Sequence, residues 1–471
     1  MIGRKAEIIE LRRAYESDQS EFVAVYGRRR IGKTFLVDEA YAGLVAFRHA
    51  GVDGVTKREQ LEAFWEALKK QGGVKGRRPA SWIRAFSLLG DVIESLPPGR
   101  KVIFLDELPW FDTPKSGFLK AFEWFWNSWA CPRKDIVLVI CGSATSWIVK
   151  KVLRNRGGLH NRVTVQLPLA PFTLAECEEY AAYKGLSFDR GQILECYMAF
   201  GGVAYYWSLL REGLSAAQNI DRLCFGPLDE MRNEFNNLFA SLFKMETKHV
   251  SIVRALGKRR SGLTRDEIVA AIDGVSGGGV SECLKELEDC GFIRHYNILG
   301  QKKKGAIYQL IDNYVLFYFS FLSEREGDDP EYWMHHAISP KLFNWRGLAF
   351  EQVCFWHIPQ IKRALGISGI AADTYSLRIA DNQLESRPVQ IDMLISRADG
   401  TLSVCEIKHS SGEYDLTADE YEKINRRANA VSAEFKHRKA IQKVLISPFG
   451  VKSGKYKGNI HRFISLDDLF A

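Results

Sequence analysis

The stretch Val23–Tyr41, VAVYGRRRIGKTFLVDEAY, constrains this chain more than any other. Val23 to Tyr26 is a short apolar run of the kind that makes a buried strand. Gly27 breaks it, and Phe35, Leu36 and Ala40 at three-to-four spacing continue a helix that opens at Gly32. Between strand and helix lies G-x-x-x-x-G-K-T, Gly27 to Thr34. A glycine-rich turn that opens a helix aims free N–H groups, backed by the positive helix end, at a polyphosphate. The expected nucleotide cradle is Gly27, Arg28, Arg29, Arg30, Ile31, Gly32, Lys33, Thr34 and Phe35, with Lys33 reaching the β and γ phosphates and the Thr34 hydroxyl ligating Mg2+. The alternative is a chance match in a glycine-containing turn, and the strand-turn-helix context weighs against it.

A chain of 471 residues has room for about three domains. Lys plus Arg number 65 against 57 acids, a net charge of +8, which permits contact with nucleic acid without requiring it. Nine cysteines are scattered, with no C-x-x-C pair, which points to reduced thiols in a cytoplasm and not to a disulfide framework. The N-terminal MIGRKAEIIELRR is charged from Arg4 onward, unlike a signal peptide, and no uncharged apolar stretch is long enough to span a bilayer.

Other segments fall into place around the phosphate-binding turn. Ala6–Tyr15 is an amphipathic helix that either rests near an adenine or packs at a sheet edge. Leu44 to Ala50 suggests a second strand, with helices near Glu59–Lys70 and Ala80–Leu96 stopped by Pro97-Pro98-Gly99. The run KVIFLDELPWF, Lys101 to Phe111, is a buried strand that delivers Asp106 and Glu107 at its end. Asp106 suits the Mg2+ shell and Glu107 the placing of an attacking water. Asp135 to Gly142 is a further strand, and Ser143 at its tip is either a sensor of the γ phosphate or a helix N-cap. Arg162 precedes a fifth strand, Val163 to Leu167; it either supplies charge to a transition state, in cis or to a neighbouring subunit, or is a surface arginine. From Thr173 to about Lys244 the pattern is wholly helical. Gly201-Gly202 within it suggests a hinge or a close approach to the nucleotide base.

The order GRRRIGKT, FLDELPWF, CGSAT, LHNRV, LPLAPF and FGGVAYYW closely resembles a prokaryotic AAA-type P-loop ATPase family related to the signal-transduction ATPases with numerous domains. That resemblance implies ATP and Mg2+ as cofactors, and a C-terminal domain of restriction-endonuclease, PD-(D/E)xK, type. In that family the glycine pair continues to a proline that touches the base; Ala204 stands there in this chain.

Met245 to Ser323 reads as helices Thr247–Leu256, Thr264–Ile272 and Val280–Cys290, then strands Phe292–Asn297 and Ala306–Ile311 around the basic turn Gly300 to Gly305. Three helices and a basic hairpin make a winged helix-turn-helix. Its third helix carries Glu282, Glu286, Glu288 and Asp289 against Lys285, a face that phosphates repel, while the lysine wing and Lys258-Arg259-Arg260 still offer contacts to a backbone, so a packing or regulatory module is favoured over a sequence reader. The aromatic run Tyr314 to Leu322 suits core or a domain-joining helix.

The remainder, about 335 to 471, holds a second constellation. Glu351 lies on the helix Gly347–Trp356, Asp392 on the strand Pro388–Ser396, and Glu406 and Lys408 on the strand Leu402–Lys408. Glu406 and Lys408 are two apart and share a face, so D-x(n)-E-x-K places Asp392 and Glu406 to hold a metal, with Lys408 activating water and Glu351 adding a third carboxylate. A solvated hairpin with a salt bridge is the duller reading. The charged helix Asp419–Arg427 either lines a nucleic-acid path or faces water.

The expected fold is α/β: a P-loop AAA-type ATPase core (1–170), a helical lid (171–244), a winged helix (245–323) and an α/β restriction-endonuclease-like domain (335–471). The expected function is Mg2+-dependent ATP hydrolysis coupled to a nuclease-like tail that cuts or grips DNA. Its rival is a nucleotide-switched interaction or regulatory protein with a silent tail; a transcription regulator reading DNA through the winged helix stands third. Expected partners are ATP, with DNA, a regulatory protein and self-association left open, and no membrane.

Overall fold

The computed structural model describes residues 2–471 except 144, 156, 229, 244–245, 260, 273–278, 297–305, 326, 328, 380–388 and 437. The chain forms two compact units, Met1–Pro171 and Phe172–Ala471.

The first unit is built on a parallel sheet of β1 (Glu21–Tyr26), β2 (Val45–Ala50), β3 (Lys101–Asp106), β4 (Ile136–Gly142) and β5 (Val165–Pro168), in the order β2-β3-β4-β1-β5. Alternate residues of its inner strands go to two separate cores. Phe22, Ala24, Ile103, Leu105, Leu138 and Ile140 pack on one face; Val23, Val25, Val102, Phe104, Val137 and Val139 pack on the other. With both faces covered, the strands have no reason to alternate in polarity and read as unbroken apolar runs. The helices Lys5–Glu16, Lys33–Ala40, Lys57–Gly72 and Trp82–Ser95 fall within about two residues of expectation. Lys57–Gly72 starts at a Thr56–Glu59 capping box, the local chemistry that fixes its first turn.

The second unit begins with the helices Leu174–Tyr183, Arg190–Phe200, Ala204–Ser208, Ala216–Cys224 and Glu230–Leu242. Of the glycine pair in this region, Gly201 ends the helix Arg190–Phe200 at φ 61° and Gly202 meets another stretch of backbone. Phe172 N–H donates to the Gly202 carbonyl at 2.7 Å, and a Cβ on Gly202 would stand 1.9 Å from the Phe172 carbonyl oxygen. That backbone crossing explains the residue without a base contact.

Three helices, Glu246–Lys258, Arg265–Ala271 and Val280–Asp289, follow with an antiparallel sheet of order β6-β8-β7. In it β7 (Ile293–Tyr296) and β8 (Ile307–Leu310) are joined by β6 (Leu263–Thr264), a two-residue strand too short to stand out in the sequence. The lysine turn at 300–305 and residue 260 lie outside the described residues. The aromatic run is a buried helix, Asn313–Phe317, that widens over Tyr318–Leu322, where Ser323 N–H reaches back five residues to the Tyr318 carbonyl.

The last sheet has the order β13-β12-β11-β10-β9, with β9 (Ala372–Ile379), β10 (Val389–Arg397), β11 (Thr401–Ile407), β12 (Ala440–Ile446) and β13 (Arg462–Ile464). β9, β10 and β11 are antiparallel neighbours; β12 and β13 continue in parallel. The largest hydrophobic cluster of this unit takes in residues from Phe172 to Phe470, and two smaller ones lie around Leu394 and Leu445 in the last sheet. Among the described residues, no helix is long and apolar enough to cross a membrane.

Candidate functional site

The turn after β1 owes its shape to two glycines. Gly27 has φ 151°, and a Cβ there would lie 2.4 Å from the Leu169 carbonyl oxygen; Gly32, at φ 87°, stands at the start of the Lys33–Ala40 helix without a side-chain cap. The first-turn N–H groups of that helix therefore face outward with no side-chain cap, as an anion site requires. Arg4, ahead of the first helix, ties into the same turn: its Nη2 donates to the Ala170 carbonyl at 2.6 Å and the Ile31 carbonyl at 3.4 Å.

Lys33 is buried, and its Nζ donates to the carbonyl oxygens of Gly27 (3.0 Å) and Arg28 (2.8 Å) and to Ser143 Oγ (3.1 Å). Thr34 Oγ1 donates to Asp106 Oδ2 at 2.8 Å. Ser143 in turn grips Glu107, its N–H donating to Oε2 at 3.0 Å and its hydroxyl to Oε1 at 2.6 Å. Glu107 has φ 44°, a left-handed conformation that non-glycine residues seldom adopt, and the two bonds from Ser143 help hold it there. Sheet order makes this constellation possible: β4, which leads directly into Ser143, lies between β1 and the acid-bearing β3. Behind it, burial and the Asp106 charge push the Cys141 thiol well above its usual range, so it stays neutral.

Arg162 is not brought to this group. Val165 pairs with Val23 near the start of β1, whereas Tyr26, at the end that leads into the Gly27 turn, pairs with Pro168. Arg162 therefore lies beyond the opposite end of the parallel pair, exposed, which removes the expected role in cis. The order of residues along a chain does not show which end of a strand they reach.

The second group forms on the last sheet. Asp392 and Met393 stand against a single residue of β9, a bulge between the Ile391–Leu377 and Leu394–Tyr375 pairs. Such bulges re-aim a side chain, here the carboxylate, whose Oδ2 accepts the Ile407 N–H at 3.0 Å. Glu406 is buried; Lys408 Nζ lies 3.0 Å from its Oε1 and 3.4 Å from Glu420 Oε2. Burial, then the Glu406 charge, raise Asp392 to about 6. Burial opposes ionisation of Glu420, but the Lys423 and Tyr414 hydrogen bonds and the Lys408 charge outweigh it and hold that carboxyl at about 2. Glu351 lines a cleft with Asp392, Gln390, Gln309 and Tyr296. Arg427, from the helix Ala418–Glu434, donates to Glu406 Oε2 and lies 3.6 Å from Asp392 Oδ2.

Sequence reasoning overlooked Arg427 and Glu420 as members of this group. It also overlooked His249, Cys283 and Glu286, whose potential ligand atoms lie within 4.8 Å of one another. There His249 Nε2 and Glu286 Oε2 are 2.9 Å apart and the ring stacks on Phe243, an arrangement that a buried histidine hydrogen-bonded to a partly exposed carboxylate explains.

No protein-family model matches this chain. An uncharacterised protein of Methanocaldococcus jannaschii is 24% identical over 328 residues, 68% of this chain and 68% of that one. Among solved structures, a Walker-type ATPase of Pyrococcus abyssi aligns over 68% of this chain and 96% of its own, with TM-score 0.50 and 15% identity. The ORC2 protein of Aeropyrum pernix, in ADPNP and ADP complexes, aligns over 66% and 90% with TM-score 0.40 and 14% identity. In its parallel sheet the chain shares the α/β fold of that Walker-type ATPase.

Proposed function

We propose that this protein is an ATP-binding, Mg2+-dependent ATPase of the AAA type, coupled to a nuclease-like C-terminal site that acts on or grips DNA. The observation that carries the first half is the Thr34–Asp106 contact of 2.8 Å beside the Lys33–Ser143–Glu107 chain. Two oxygen ligands of the kind Mg2+ takes already lie together there, so Thr34 and Asp106 fit the ion. When bound, Mg2+ would offset charge on the β and γ phosphates. Lys33 exchanges its two loop carbonyls for phosphate oxygens, Glu107 orients the attacking water, and Ser143 positions both.

The second half rests on Asp392, Glu406 and Lys408 at a bulged hairpin with Glu351 nearby, and on three helices with a small sheet that suit a winged-helix module. Asp392 and Glu406 fit a divalent cation, and Lys408 would hold a water at a phosphodiester. The rival, a nucleotide-switched interaction protein with a catalytically silent tail, is favoured by one observation: Arg427 stands between the two carboxylates.

ATP turnover with and without DNA tests the proposal. Lys33→Ala is expected to lower the rate by about a hundredfold or more, and DNA is expected to stimulate the unsubstituted protein. Turnover that survives Lys33→Ala at full rate sinks the ATPase reading.

A further inference from the structure

The helix Ala418–Glu434 is anchored by the buried residues Ile424, Ala428 and Val431. Glu420 and Arg427 stand at three-to-four spacing from this stripe, so both turn inward to the strand that bears Glu406. There the two cations divide the carboxylate. Lys408 takes Oε1 of Glu406, whereas Arg427 takes Oε2 and faces Asp392 Oδ2 at 3.6 Å. The Glu351 charge also bears on the guanidinium.

A divalent ion shared by Asp392 and Glu406 would sit about 2.0–2.6 Å from an oxygen of each, within the space the guanidinium now fills. Two cations there would also repel at close range. Metal and arginine therefore exclude one another.

We infer that Arg427 is a resident counter-cation that keeps the carboxylate site closed, and that a divalent metal enters only when the guanidinium swings out. The inference rests on the reading of Asp392 and Glu406 as a metal site. Its consequence is regulatory: Asp392 and Glu406 are faced by cations without metal, and whatever draws Arg427 away loads the site.

Calorimetric titration of Mn2+ into the full-length, nucleotide-free protein tests this. Arg427→Gln is expected to bind Mn2+ about tenfold or more tightly than the unsubstituted protein, with the gain abolished by adding Asp392→Asn. Arg427→Lys keeps the charge on a shorter reach and is expected between the two, so the ranking still reads the competition if Arg427→Gln is recovered poorly. Equal affinities across the series, with uptake by the unsubstituted protein lost in Asp392→Asn, overturn the inference and leave the metal site standing. Uptake indifferent to Asp392→Asn throughout overturns both.

Discussion

At the scale of single residues, the nucleotide group is a relay that converges on Ser143. Its hydroxyl accepts from Lys33 and donates to Glu107, so it joins the cation proposed to read phosphate to the carboxylate proposed to orient water. Ser143→Ala leaves the backbone N–H on Glu107 but cuts the link to Lys33. It is expected to lower kcat for ATP by about 10- to 100-fold while the KM moves little, because a single positioned donor acts mainly in the transition state. Steady-state kinetics decide it; a raised kcat would instead make the hydroxyl a restraint on Glu107. That Thr34 and Asp106 come together was legible because the motif places Thr34 at the head of a helix and an unbroken apolar strand ends on Asp106. Arg427 was not legible in that way, since no motif names it. Yet the Ile424, Ala428, Val431 stripe holds the signal: it rotates Arg427 toward the sheet, and reading that helix merely as charged misses this.

At the scale of elements, the strands and helices expected from their apolar pattern lie within a few residues of the observed ones, whereas the helix Phe118–Trp124 and the strands β9, β12 and β13 went unread. What was not readable was crossing geometry. Gly201-Gly202 looked like a hinge because glycine permits one, but the constraint on Gly202 comes from Phe172, thirty residues earlier in the chain. The two backbones are bonded at 2.7 Å, and a methyl group on Gly202 would meet carbonyl oxygen, not a yielding side chain. Gly202→Ala is therefore expected to destabilise the protein by about 1–3 kcal/mol or more. A thermal melt checks it, and an unchanged midpoint would return the glycine to the hinge reading. β6 escaped notice for a related reason: two residues acquire strand geometry only because β8 is there to pair with them.

At the scale of the whole molecule, the segments expected as lid, winged helix and tail lie in the compact unit Phe172–Ala471. His357 shows how distant segments are joined within it. The ring is fully buried, Nδ1 lies 2.7 Å from the Val353 carbonyl, and Nε2 accepts the Leu174 N–H at 2.9 Å. That pattern fixes the neutral tautomer with the proton on Nδ1, since a protonated Nε2 has no lone pair for Leu174. Burial lowers the pKa to about 4, so the unfolded chain takes up the proton first as pH falls. The stabilisation is complete above about 6.5 and is lost as pH drops from there toward 4 and below, to a limit of about 3 kcal/mol. His49 and His409, also lowered to about 4 by burial, titrate in the same direction, so total acid sensitivity does not isolate His357. His357→Gln does, because a carboxamide offers a donor and an acceptor and takes up no proton in this range. Urea midpoints at pH 7.5 and pH 4.5 are expected to fall less in that variant than in the unsubstituted protein. An equal fall in both would mean that the Leu174 contact survives acid, and that the link between these two segments does not depend on the charge state of the ring.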